Sequence, residues 1–190
     1  MSEFYFMNQQ IVTLENSIVI ESVESDVELE PVNLLRGAKL NPEPSYINIH
    51  FSKSGGNFYP DIVSLPITLY SDKIRTILDQ CGIDNIDYYP VKLVNPPKNK
   101  MGNITYWFAN ICGRISCLDK NRSDITIKRT GVRFKSFYID ETKTLGAKLF
   151  RLHEQGQLVI IHESVYSKLS NSKLTGIVMK NTKDYDGHGI

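Results

Sequence analysis

The sequence predicts an α+β fold, a strand-rich mixed sheet with a few short helices that includes two strand-helix-strand units. Three observations carry that prediction. Short runs rich in Ile, Val and aromatic residues recur along the chain, separated by Gly, Pro and Asn. One segment after Ser71 has a capped, one-faced helical pattern. Pro66-Ile-Thr-Leu-Tyr70 followed by that helix is echoed by Leu158-Val-Ile-Ile-His162 followed by a second helix. In that echo Ile74 is set against Tyr166 and Ile77 against Leu169.

In chain order, Phe4–Phe6 and Ile11–Ile20 read as strands. Glu21–Glu30 then holds Glu21, Glu24, Asp26, Glu28 and Glu30, interleaved with Val23, Val27 and Leu29. It reads either as a plain surface loop or as a surface for a basic partner. Pro31, Pro42 and Pro44 punctuate the next stretch. Tyr46–Phe51 alternates as a strand, and Ser52–Asn57, with Gly55-Gly56, is a loop. Ser71 is placed to accept a free first-turn N–H, and Asp72 suits the positive end of the helix dipole. Ile74, Ile77, Leu78 and Cys81 share one face, and Gly82 ends the helix.

Tyr88–Val94 returns to strand, Asn95–Lys100 is a loop, and Ile104–Ile111 is an aromatic buried strand. Ser116–Ile127 carries the polar run Asp119–Asp124. Ile125–Lys128 and Val132–Ile139 are strands joined by a turn at Thr130-Gly131. Leu149–Leu152 and Leu158–Ile161 are strands, a short helix lies near Ser164–Ser170, and Gly176–Met179 is the last strand. His188 falls in a polar tail, Asp184–Ile190.

A length of 190 residues fits one domain, able to bury roughly 70% of the surface its unfolded chain exposes without a disulfide or metal. No apolar run approaches the ~20 residues of a membrane span. Met1–Gln10 has Glu3 and no basic residue, unlike a secretory signal, so a cytoplasmic location is expected. Cys81, Cys112 and Cys117 are an odd number, which argues for free thiols. The net charge of +1 hides an asymmetry. Residues 1–64 hold nine acids and three bases, a balance of −6, whereas residues 92–151 hold thirteen bases and four acids, a balance of +9.

Catalytic chemistry is weakly signalled. The dipeptides His153-Glu154 and His162-Glu163 could meet across a hairpin as a metal site or acid–base pair. Their spacing is not that of a zinc-binding helix, and Leu158–Ile161 between them reads as core. Cys81 closes an apolar helix face, and no His stands at a recognised spacing from Cys112 or Cys117. No phosphate-cradling or nucleophile-elbow motif is present. The basic stretch Lys120, Arg122, Lys128, Arg129, Arg133 and Lys135 lies close to Phe134, Phe137 and Tyr138. Bases with aromatics can bind single-stranded nucleic acid, whereas aromatics turned inward leave only a solvated sheet face.

Leu149-Phe-Arg-Leu-His-Glu154, Leu158-Val-Ile-Ile-His-Glu-Ser-Val165 and Leu174-Thr-Gly-Ile-Val178 form a C-terminal run. It resembles the signature of a bacterial immunity-protein family, type eleven among polymorphic-toxin immunity proteins and formerly a domain of unknown function. Further blocks agree in order and spacing: Asp61-Ile-Val-Ser-Leu-Pro66, the Ser71 helix, Tyr88-Tyr-Pro-Val91, Trp107-Phe-Ala-Asn110, Cys117–Ser123 and Phe137-Tyr-Ile-Asp140. His162 stands where a small polar residue such as Ser is expected. The resemblance divides a single immunity-type domain, residues 1–190, into a variable part (1–59), a family-like part (60–180) and a tail (181–190).

The resemblance implies a cytoplasmic protein made beside a toxin, protecting its producer by binding that toxin tightly, with no catalytic residues and no cofactor. Its partner is then the cognate toxin domain, with no membrane. Glu21, Glu24, Asp26, Glu28 and Glu30 are the expected contacts to a basic toxin surface. The reverse case sets the basic 120–135 face against an acidic toxin. Two rival readings are a nucleic-acid-binding protein using residues 120–138 and a metal-dependent enzyme using the His-Glu pairs.

Overall fold

The computed structural model describes residues 2–10, 16–98, 104–128 and 131–187, with the backbone alone at 127, 128, 131 and 132. The predicted strand at 11–15, the turn residue Thr130, Arg129 and His188 lie outside the described residues.

The strands are β1 (Phe4–Gln9), β2 (Ile20–Ser25), β3 (Ile47–Phe51), β4 (Ile62–Val63), β5 (Leu69–Ser71), β6 (Ile86–Pro90) and β7 (Lys92–Val94). They continue with β8 (Tyr106–Ile111), β9 (Arg114–Ile115), β10 (Asp124–Lys128), β11 (Gly131–Ser136), β12 (Leu149–Leu152), β13 (Gln155–His162) and β14 (Ile177–Asn181). The helices are α1 (Pro31–Leu35), α2 (Asp72–Gln80) and α3 (Glu163–Ser170). The fold is α+β, with a five-stranded sheet β14-β1-β13-β12-β9, a four-stranded sheet β4-β5-β8-β6, a three-stranded sheet β2-β3-β7 and the hairpin β10-β11. Pairing is antiparallel except at β12/β9 and β3/β7.

Period-two alternation explains how these sheets stack. On β13, Leu158 and Ile160 face one way, and Val159 and Ile161 the other. On β1, Phe4 and Phe6 oppose Tyr5 and Met7 in the same manner. One face of the five-stranded sheet packs on Phe134, Phe137, Ile139 and Tyr185. The other packs on α2, α3 and the four-stranded sheet, through Tyr70, Ile74, Leu78, Ile111 and Val165. The far face of the four-stranded sheet, with Leu69, Tyr106 and Phe108, covers Ile47, Ile49 and Phe51 of the three-stranded sheet.

The echoed units are both present, in a register one residue away from the expected one. Ser71 Oγ accepts from the Ile74 N–H at 3.4 Å, and His162 Nδ1 accepts from the Ser164 N–H at 3.1 Å. With these caps aligned, Ile74 matches Val165 and not Tyr166, and Leu169 matches Leu78 and not Ile77, all four matched residues being buried. His162 therefore does with a ring nitrogen what Ser71 does with a hydroxyl. Gly82 (φ +72°) ends α2 in the left-handed region as expected.

Buried Asp61 joins both units. Its Oδ1 accepts from Ser71 Oγ (2.6 Å), and its Oδ2 from the Thr175 N–H (2.7 Å) and Oγ1 (3.2 Å). The next residue, Gly176, has φ +68°, and a Cβ there would collide with Pro60. The sequence blocks around Asp61, Ser71 and Leu174–Val178 thus meet as one scaffold joint.

Two expectations are corrected. Within Ile11–Ile20 the described part is not a strand: Ser17 makes an isolated bridge to Phe58, and pairing begins at Ile20. The strand runs on through Ser25, so the acidic segment begins on a sheet edge and not in a loop. The short helix α1 was not anticipated. Pro31, read as punctuation, occupies its first turn, where a missing N–H is harmless, and Leu34 is buried.

Candidate functional site

The two His-Glu pairs do not meet. His153 lies in the turn between β12 and β13, with its N–H bonded to the Ile115 carbonyl at 3.0 Å. His162 lies at the far end of β13, roughly 24 Å away for seven antiparallel residues. Glu154 accepts from Ser116 Oγ and Glu163 from the Glu3 N–H. Among the described residues no group of three or more His, Cys, Asp or Glu is placed to hold a metal ion.

Cys81, Cys112 and Cys117 are free thiols. Burial pushes the Cys117 thiol up to about 12. Burial, then the hydrogen bond to Asp87 (Sγ to Oδ2 3.1 Å), pushes the partly exposed Cys112 up to about 11. A raised value keeps the thiol protonated, so at pH 8 only roughly one Cys112 in a thousand is a thiolate. Alkylation of Cys112 by iodoacetamide, followed by peptide mass spectrometry, is expected to rise about tenfold per pH unit from 8 to 10. Levelling off near pH 9 would contradict this environment.

The basic stretch does not form an open stacking platform. Phe134 and Phe137 are buried in the core against Tyr185. Tyr138 is covered by the Arg122 guanidinium, 4.3 Å from its ring centroid. The exposed Lys120, Arg122, Arg133 and Lys135 therefore lack accessible aromatic faces beside them, and Lys135 approaches Asp124 at 4.0 Å.

The acidic segment is built differently. Val23 and Ser25 on β2 face Ile49 and Ile47, which points Glu24 outward. A bulge between Ile20 and Ser22 exposes both Glu21 and Ser22. Beyond the strand the alternation persists: Val27 and Leu29 are half-buried, whereas Asp26, Glu28 and Glu30 are exposed. All five carboxylates thus reach solvent.

Three of these acids are tied locally. Glu24 accepts from Asn48 (3.1 Å) and approaches His50 (3.4 Å), and these partners, Asn48 first, hold its carboxyl below the usual range. Ser45 does the same for Asp26, donating through Oγ and N–H. Glu30 accepts from Asn33 Nδ2 at 2.7 Å.

Two open grooves of about 420 Å³ flank Val27-Glu28. One is bounded by Asp26, Glu30, Lys39 and Pro42, the other by Glu21, Pro31, Pro66 and Ile67. Large apolar side chains stand exposed nearby in sequence or fold: Val32 on α1, Tyr46 beside Ser45, and Leu65, which is 78% exposed. Leu65 borders the same small cavity as Pro31 and Leu34. Sequence reading missed Val32 and Leu65, because nothing local distinguishes an exposed Leu from a core one. It also passed over Arg151, which is buried between Phe150 and Leu152 on β12. Alternation alone could have flagged a cation on a core-facing position there.

A family model described as Immunity protein family (Imm11) matches residues 6–184. The match takes in the N-terminal part, including the acidic segment, which the residue resemblance had left out. No curated protein matches the chain. No helix among the described residues is long and apolar enough to cross a membrane.

Proposed function

The chain belongs to the Imm11 immunity protein family, and from that premise we propose that it neutralises a cognate bacterial toxin by binding it as a tight protein–protein complex. In this reading it acts in the cytoplasm of the producing cell, without turnover, as the immunity half of an effector–immunity pair used in competition between bacteria. An interface of ~1,200–2,000 Å² would block or distort the toxin's active site.

The observation that carries the contact surface is the outward alternation of Glu21, Glu24, Asp26, Glu28 and Glu30 along β2 and the loop to α1. Complementary charge speeds encounter and fixes register, and exposed Tyr46, Val32 and Leu65 supply apolar anchors among the acids. A toxin with a basic surface, such as a nuclease with a basic substrate groove, fits this face. The joint at Asp61, Ser71 and Thr175 is scaffold: it ties β4, β5 and the turn before β14 together through the buried Asp61 and Ser71 side chains.

The test is protection. Cells expressing the toxin domain encoded beside this chain are expected to survive when the chain is co-expressed, and the two proteins to co-purify. Death of the cells despite full expression of the chain, with no co-purification, would overturn the reading.

A further inference from the structure

A cavity of about 460 Å³ opens beside the layer between the five-stranded and four-stranded sheets. We propose that it is a binding site for a small amphipathic carboxylate, with Arg151 holding the carboxylate group. Met7, Ile18, Ile62 and Val159 give it an apolar wall, and among the described residues no Asp or Glu lines it. The volume lies in the range of small-molecule sites.

Arg151 points into this layer because β12 alternates: Phe150 and Leu152 pack on the other face of the sheet, while Leu149 shares the face of Arg151. The residue is 4% exposed. Nη1 donates to the Gly156 carbonyl at 2.9 Å, and Nε is buried with no partner. Among the described residues no carboxylate pairs with it. An arginine does not escape burial by losing its proton, so the charge calls for an anion.

Two residues that line the same cavity, Tyr70 and Ser17, also carry buried hydroxyls without partners. Buried polar atoms without partners are rare, and here three belong to residues that line one cavity. Both hydroxyls can donate to an anion's oxygens. The free Nε edge of a guanidinium matches the planar carboxylate group. A single cation suits a singly charged head better than a polyphosphate, and the apolar wall suits a hydrocarbon body. The same chemistry could come from an acidic side chain of a bound protein. The apolar wall favours a free ligand, since it would accept a body that a short acidic side chain lacks.

The proposal does not rest on toxin binding, because the test uses the free full chain. Octanoate, octan-1-ol and octylamine are titrated separately, with backbone amide NMR shifts and calorimetry as readouts. Octanoate is expected to bind saturably and to shift Met7, Ile62 and Val159. Octan-1-ol is expected to bind about 10- to 100-fold more weakly, and octylamine not at all. In Arg151→Met the preference for octanoate over octan-1-ol disappears. Should that variant fail to fold, the comparison of three head groups on the wild-type chain still decides. Absence of saturable octanoate binding up to about 5 mM, or equal binding of octanoate and octan-1-ol, overturns the proposal. If octanoate fails to bind while Arg151→Met weakens the complex with the toxin domain tenfold or more, the carboxylate is the partner's, which also overturns it.

Discussion

Reversing Glu21, Glu28 and Glu30 to lysine is expected to weaken the complex with the cognate toxin by about 100-fold at low salt, at about 1 kcal/mol per exposed charge contact. These three hold little else in place. Asp26 anchors Ser45 and Glu24 anchors Asn48, so reversing either would disturb the sheet edge as well as its charge. Among the described residues Glu30 touches only Asn33 through its side chain, on the surface. The melting temperature should therefore move by no more than about 2 °C. Screening should shrink the affinity loss to below about tenfold near 0.5 M salt. Calorimetric titration at the two salt concentrations checks this. Unchanged affinity at both would remove the acidic segment from the interface and return attention to the exposed bases of residues 120–135.

The largest stability effect is expected at Asp61. Asp61→Ala removes an acceptor used by Ser71 Oγ, the Thr175 N–H and Thr175 Oγ1, in a joint where Asp61 and Ser71 are buried and Thr175 is half-buried. Donors left without partners are more costly than the mean hydrogen bond suggests, so the loss should be about 3–5 kcal/mol. For a chain of this size that is a fall of roughly 10 °C in melting temperature. Asp61→Asn keeps one acceptor oxygen and should lose less. Ser71→Ala removes the helix cap and one bond to Asp61, and should cost about 1–2 kcal/mol. A melting temperature for Asp61→Ala within about 2 °C of wild type would contradict the role of this joint.

What was legible in the sequence followed from local physics. The Ser71 helix was clear because its cap, its apolar face and its Gly82 stop all act within one or two turns of chain. The interleaving of Val23, Val27 and Leu29 with the acids was visible too. What escaped depends on distant partners. The start of β2 is set by pairing with β3 and by the Ser17–Phe58 bridge, and no residue near Ile11 signals either. The helix α1 is five residues long and is held by burial of Leu34 in a core made elsewhere in the chain. His153 and His162 looked like neighbours across a hairpin, but the strand between them separates them by its whole length. Arg151 sat unseen among apolar neighbours. Its significance lies in Tyr70 and Ser17, which are far from it in sequence and share its cavity.

The recognisable C-terminal run and the proposed contact surface are thus different parts of the molecule. Val165, Leu169, Thr175 and Gly176 close the fold. The acids on β2 and before α1 stand in solvent, outside that core. The most direct measurement is calorimetric titration of the purified chain with the toxin domain encoded beside it. A stoichiometric complex is expected, with a Kd of about 10 nM or tighter, weakened by salt and by the triple charge reversal. No detectable binding, with the toxin equally active whether or not the chain is present, would contradict it.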